Sequence, residues 1–332
     1  MADAAIRVEG LKKNFDTLAA LDGVDFEVAP AMVFGLLGPN GAGKTTAVRV
    51  LATILKPDGG RAEVLGYDVV RSPNEVRYRI GLAGQFAAVD ANLTGRENLR
   101  LVGRLGQLPR AIIPPRAAEL LERFGLADAG DRPVKTYSGG MRRRLDVAAS
   151  LMQRPPVLFL DEPTTGLDLQ SREALWDMIR ELVNDGTTVL LTTQYLEEAD
   201  RLADRIAVVA GGKVIANDSP ANLKSRLGNT VIEAGMPDEE EARKAAVLLS
   251  PLIEGDPEVE GTLIRLSSAD GARILIEALR SLDGAGMSPN TLTVREPSLD
   301  DVFLNLTGRH AESDEGNDGG ADAAPTRKGR KA

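Results

Sequence analysis

The stretch Val33-Phe34-Gly35-Leu36-Leu37-Gly38-Pro39-Asn40-Gly41-Ala42-Gly43-Lys44-Thr45-Thr46 decides the fold of this chain. Val33 to Leu37 reads as a strand buried on both faces, and Thr46 to Leu55 continues with helical spacing. Between them the glycines let backbone N–H groups converge on phosphate oxygens, and the start of a helix adds partial positive charge. Lys44 supplies a point charge for β- and γ-phosphates, and Thr45 supplies a hydroxyl for Mg²⁺. A glycine-rich turn can match such a pattern by chance; the strand before it and the helix after it make it a phosphate loop.

Working outward, Arg79 to Leu82, Val157 to Leu160, Thr188 to Thr192 and Arg205 to Val209 have the same apolar character, with helical stretches between most of them. This predicts an α/β domain with a mainly parallel sheet. Ile6 to Phe15 and Val24 to Val28 read as strands of a separate antiparallel layer. Ser72-Pro73-Asn74-Glu75 has the pattern of a capping box with proline at the first helical position. The strand Val157 to Leu160 runs straight into Asp161-Glu162. Carboxylates at a strand's C-terminal end sit where such sheets place their ligands. Asp161 can hold Mg²⁺ through water, and Glu162 can polarise a water that attacks the γ-phosphate.

After a linker near Gly228 the pattern changes to strand (Thr230 to Glu233), helix (Glu239 to Leu249), strand (Thr262 to Leu266), helix (Gly271 to Leu282), strand (Thr291 to Val294) and helix (Leu299 to Leu306). Ser298 with Asp301 three residues on is the start signal of the last helix. This is a small α+β domain. Residues 225–310 hold 15 acidic and 8 basic side chains, which argues against a nucleic-acid module. Beyond Glu312 the composition of Asp, Glu, Gly, Asn and Ala offers no apolar face, so the tail reads as disordered. It ends in Arg327, Lys328, Arg330 and Lys331, to which no function is assigned. The domains are therefore expected at residues 4–222 and 229–308, with the disordered tail at 311–332. The chain's 332 residues include no cysteine and one histidine, His310, which excludes disulfides and thiolate or histidine zinc sites. Nothing approaches the roughly 18 consecutive apolar residues of a membrane span, and the N-terminus lacks the blocks of a signal peptide.

Between the phosphate loop and Asp161 lies Tyr137-Ser138-Gly139-Gly140-Met141, followed by Arg142-Arg143-Arg144. Here the chain resembles the nucleotide-binding subunits of ABC transporters, whose signature is usually Leu-Ser-Gly-Gly-Gln. The other family elements follow in order. Gln85 stands where the family has its Q-loop glutamine, Gly166-Leu167-Asp168 matches the D-loop, and Phe15 stands at the place of the adenine-stacking aromatic. Two departures narrow the resemblance: Met141 replaces the signature glutamine, and Gln194 in Thr192-Thr193-Gln194-Tyr195 replaces the switch histidine. With the segment Glu296 to Leu304, this pairing is similar to the daunorubicin/doxorubicin-resistance branch of exporters. The arginine run reads as a solvated or interfacial helix face.

The resemblance implies a P-loop NTPase fold of ABC type, with a helical subdomain, that binds ATP and Mg²⁺ and hydrolyses ATP. It places Gly38 to Thr46, Phe15, Ser138, Gly139, Gly140 and Asp168 around nucleotide, with Thr45, Gln85 and Asp161 near the metal. It gives Glu162, Gln194 and Gln85 the catalytic roles. One copy carries one loop and one signature, so the active unit is expected to be a homodimer. The partner is expected to be a separate membrane permease that holds the protein at the cytoplasmic face of the membrane and exports a hydrophobic drug or natural product. Phe86 to Val89 is either the region that meets the permease or a buried loop. The competing reading, a soluble ABC ATPase acting on ribosomes or DNA, fits less well, because such proteins carry two nucleotide domains or zinc-binding cysteines. No nucleic-acid partner is expected.

Overall fold

The structure is a computed structural model that describes residues 4–85, 88–226, 230–253, 256–268 and 271–306. It divides into two compact units, Met1–Leu223 and Lys224–Ala332.

The first unit is built on a six-stranded sheet in the order Lys213–Asp218, Arg205–Ala210, Val33–Leu37, Thr188–Thr193, Val157–Asp161, Ile80–Ala83. All neighbouring pairs are parallel except Lys213–Asp218 with Arg205–Ala210. The three middle strands are buried at every position, as parallel strands covered on both faces must be. A four-stranded antiparallel sheet, Leu18–Val28, Ile6–Phe15, Gly59–Val64 and Tyr67–Asp68, shares its core with this one through Ile6, Leu11, Val28, Phe34 and Leu51. The strand expected over Val24 to Val28 thus begins at Leu18. Register matters for function: Leu37 lies opposite Thr193, and Thr192 opposite Asp161. The C-terminal ends of three adjacent strands therefore stand side by side.

The helices Gly95–Leu105, Ile113–Arg123 and Gly139–Ser150 follow the strand Ile80–Ala83. Thr94 caps the first with a capping box to Glu97. The box expected at Ser72 does not form: Ser72 precedes the helix Pro73–Arg77 without a side-chain cap bond, and Glu75 pairs with Arg79 instead. The cation one turn along takes the carboxylate that the box requires.

The second unit is an antiparallel sheet ordered Glu258–Glu260, Leu263–Ser268, Thr230–Gly235, Thr291–Arg295, with helices Glu239–Leu249 and Gly271–Gly284. Ile232, Ile264 and Leu266 pack with Ala245, Leu249 and Ile274. Strand alternation turns Glu233, Arg265 and Arg295 to the other face, where Arg295 bonds both Glu233 and Asp301. Residues 299–306 are helical, and Ser298 Oγ accepts from Asp301 N as the sequence indicates. The strand Glu258–Glu260 was not legible, being short and charged. Gly228 and residues 307–332, which include His310 and the tail, lie outside the described residues.

Candidate nucleotide site

Gly38 follows the phosphate-loop strand as a buried residue; Pro39, Asn40 and Gly41 are exposed, and Ala42, Gly43 and Lys44 are buried again. Gly43 precedes the helix Lys44–Leu51 at φ 105°, and a Cβ there would collide with the carbonyl of Ala20, so both backbone angle and space require glycine. Lys44 is 4% exposed. Its Nζ donates to the carbonyls of Gly38 at 2.7 Å and Pro39 at 3.0 Å, and lies 3.9 Å from Glu162 Oε1. Burial lowers its pKa, against the opposing pull of Glu162 and Asp161. The ammonium is thus curled into the loop by hydrogen bonds that a phosphate oxygen can replace.

Thr45 and Thr46 are half-buried in the first helical turn. Thr45 Oγ1 donates to Asp161 Oδ1 at 3.0 Å, and Thr192 Oγ1 donates to the same oxygen at 2.6 Å. One carboxylate and one hydroxyl in contact match a Mg²⁺ that takes its other ligands from water and phosphate. Glu162, the next residue, has φ 48°, a left-handed conformation that costs a glutamate of order 1 kcal/mol. Its N–H is held by Thr192 Oγ1 at 3.0 Å and Thr192 O at 3.2 Å. Thr192, which sequence reading passed over, therefore fixes both acids; its register opposite Asp161 was the signal.

Gln194 is half-buried and directly follows the strand Thr188–Thr193, in which Thr193 lies opposite Leu37 and Thr192 opposite Asp161. Gln85 is exposed two residues beyond the strand Ile80–Ala83, whose Ala83 pairs with Leu160. It lies at the same end of the sheet, where Asp161 Oδ1 is bonded by Thr45 and Thr192. Phe15 is 43% exposed at the end of its strand, with Lys13 Nζ 5.6 Å from the ring centre. Phe86 and Ala87 lie outside the described residues.

The signature forms a helix start. Ser138 caps Gly139–Ser150 by accepting from Met141 N at 3.2 Å; Ser138 and Gly139 are exposed and Gly140 is buried. A Cβ on Gly140 would collide with Ser171 Oγ. Asp168 in turn caps the helix Leu169–Asn184, accepting from Ser171 N at 2.8 Å and Ser171 Oγ at 3.1 Å. The Ser171 backbone hydrogen bond lowers the Asp168 pKa. Signature and D-loop helices are thus in contact within one copy, while the hydrogen bonds of Ser138 stay within its own cap.

The arginine run is not a solvated face throughout. Arg142 is exposed, but Arg143 is buried and donates to the carbonyls of Pro163 at 2.9 Å and Asp161 at 3.1 Å, to that of Gly84, and to Asp146 at 3.2 Å. Asp146 also accepts from Ala88 N at 2.7 Å. Burial raises the Asp146 pKa and lowers that of Arg143. The pair ties the end of the strand Val157–Asp161 to the segment after Ile80–Ala83.

Comparison with known proteins follows the same lines. The family model described as ABC transporter matches residues 21–165. The chain is 52% identical over 313 residues to a daunorubicin resistance ATP-binding protein of Streptomyces coeruleorubidus, covering 94% of this chain and 97% of that one. It is 50% identical to the daunorubicin/doxorubicin resistance ATP-binding protein of Streptomyces peucetius, over 93% and 94% of the two chains. It is 41% identical to Nod factor export ATP-binding protein I of Ralstonia nicotianae, over 92% and 94%. Among solved structures, an ATP-binding cassette of an ABC transporter in its ADP conformation superposes with a TM-score of 0.60 at 28% identity, covering 65% of this chain and 91% of that one.

Proposed function

This chain belongs to the ATP-binding subunits of ABC transporters, and from that membership we propose that it energises a separate membrane subunit that exports a hydrophobic drug or natural product. The observation that carries the reading is the convergence of Lys44, Thr45, Asp161 and Glu162 on one end of the sheet. The names of the daunorubicin-resistance relatives supply the class of cargo. Among the described residues no helix is long and apolar enough to cross a membrane, so translocation is assigned to a partner.

In this reading Lys44 releases the carbonyls of Gly38 and Pro39 and binds the phosphates, joined by the loop N–H groups. Thr45 and Asp161 would hold Mg²⁺, with Gln85 nearby, and the ion would supply positive charge against the phosphates. Glu162 accepts a proton from water as its oxygen bonds to the γ-phosphorus; the bond from that phosphorus to the bridging oxygen breaks, and ADP leaves with the electron pair. Gln194 donates an amide hydrogen bond to a γ-phosphate oxygen, which orients it without adding charge. Phe15 stacks on the adenine. Exposed Ser138 and the N–H groups of Gly139 and Gly140, at the start of a 12-residue helix, suit a γ-phosphate presented by a second copy. Two copies therefore close around two ATP molecules, with Asp168 at the interface, and hydrolysis releases them.

The test is to purify the chain with the membrane protein that accompanies it and to offer daunorubicin as probe, with ATP, to the outside of inverted vesicles that contain the pair. ATP-dependent accumulation, lost in Glu162→Gln, supports the proposal. Hydrolysis indifferent to any membrane partner but stimulated by ribosomes or DNA would favour the soluble alternative.

A further inference from the structure

The helix Leu169–Asn184 and the segment after Gln194 are joined by contacts that neither the motifs nor the proposed chemistry uses. Trp176, the chain's only tryptophan, is 1% exposed and donates its indole N–H to Glu198 Oε1 at 3.1 Å. Glu198 is fully buried on the helix Leu196–Leu202. The Thr193 hydroxyl accepts from Tyr195 N at 2.9 Å, and neither Glu198 Oε2 nor Thr164 Oγ1 has a hydrogen-bond partner. Around this centre, the Arg172 guanidinium lies 5.2 Å from the Tyr195 ring centre and 3.8 Å from Glu197. The Arg201 guanidinium lies 5.1 Å from the Trp176 ring centre and 3.8 Å from Glu173.

Burying a carboxylate without full hydrogen bonding is costly, and an apolar pair would join two helices more cheaply. What apolar packing cannot supply is direction. The bond joins two functional places: Glu198 lies four residues after Gln194, and Trp176 belongs to the helix that begins at the Asp168 cap. A neutral amide at position 194 acts only through where it is held, and small displacements of such a group cost large factors in rate.

We propose that Glu198 is a positioning residue whose carboxyl, clamped by the Trp176 indole N–H, ties the segment that follows Gln194 to the helix that begins at Asp168, holds Gln194 in place and makes the two move as one unit. The inference rests on the function proposed above. Because Trp176 is the only tryptophan, its emission reports the clamp directly.

The experiment compares full-length wild type, Glu198→Gln, Glu198→Ala and Trp176→Phe. The readouts are kcat and KM for ATP, and, where Trp176 is present, emission with and without a non-hydrolysable ATP analogue. Glu198→Gln keeps an acceptor for the indole and is expected to hold kcat within about twofold of wild type, whereas Glu198→Ala loses roughly tenfold in kcat at unchanged KM. The nucleotide-induced emission change, present in wild type, is expected to vanish in Glu198→Ala. If that variant does not fold, Trp176→Phe decides, since it keeps an aromatic ring in the site and removes the N–H together with part of the indole; a loss of kcat at constant KM supports the clamp. Wild-type kcat in Trp176→Phe, or kcat and KM worsening together in Glu198→Ala, overturns the positioning role alone. Absence of turnover in the wild type defeats both this inference and the function it rests on.

Discussion

Both units bury charge, and they do so to opposite ends. In the second, Glu233, Arg265, Arg295 and Asp301 close on one another: Arg295 bonds Asp301 through both nitrogens, at 2.7 and 2.8 Å, and Glu233 at 2.8 Å, while Arg265 reaches Glu233 at 3.1 Å. Cations and anions are matched and no ligand is called for. At the phosphate end of the first unit, Lys44 makes do with two carbonyls and stands 3.9 Å from Glu162, too far for a hydrogen bond. The contrast separates a part-buried ionic cluster that holds a fold from one that holds a place for something else.

The comparison breaks most readily at Glu162. Glu162→Gln is expected to lower ATP turnover by about a hundredfold or more while leaving ATP affinity intact, since the amide cannot accept the water's proton. Steady-state hydrolysis together with nucleotide binding decides it; near-normal turnover would remove the residue from the chemistry. Lys44→Ala acts on binding instead. Loss of one charge-assisted phosphate contact, worth about 1.5–3 kcal/mol, should weaken ATP by roughly ten- to a hundredfold in a fluorescent-nucleotide titration.

A smaller effect is expected at Gln194, whose amide, bonded to a charged oxygen, contributes about 1.4 kcal/mol. Gln194→Ala should reduce turnover about tenfold with little change in affinity, and activity equal to wild type would make it a bystander. The closed cluster gives the complementary result. Arg295→Gln leaves Asp301 buried without its cation and should cost about 1–3 kcal/mol in stability, with ATP affinity unaltered. Burial tends to raise the Asp301 pKa, but the hydrogen bonds from Arg295 and Ser298 prevail and hold it below the usual value. A depressed carboxylate pKa adds stability above about pH 4 that is lost as pH falls through the folded value. Wild type should therefore lose this contribution on acidification below that point, and Arg295→Gln should show a flatter response in thermal melts.

The phosphate end was readable because each of its residues belongs to a motif fixed by local geometry. A strand, a glycine turn and a helix are all that Lys44 and Thr45 need, and an apolar run into two acids is all that marks Asp161 and Glu162. Arg143 and Glu198 were not readable for the converse reason. Each sits in a charged helical stretch that looks solvated, and only segments distant in sequence put it under cover. The capping pattern at Ser72 shows the same limit on a small scale, since Glu75 had two possible partners and the sequence does not rank them. In the second unit the apolar alternation announced the sheet and helices, while the pairing of Arg295 with Glu233 depends on a register that no local pattern carries.

The left-handed backbone of Glu162 has an implication for how this chain responds to selection. Glycine adopts φ near 48° without the steric penalty of a side chain, so Glu162→Gly is expected to raise the melting temperature while abolishing turnover. Breeding for heat tolerance would then enrich glycine at this position and breeding for drug tolerance would restore glutamate, leaving the residue pulled in opposite directions by the two regimes.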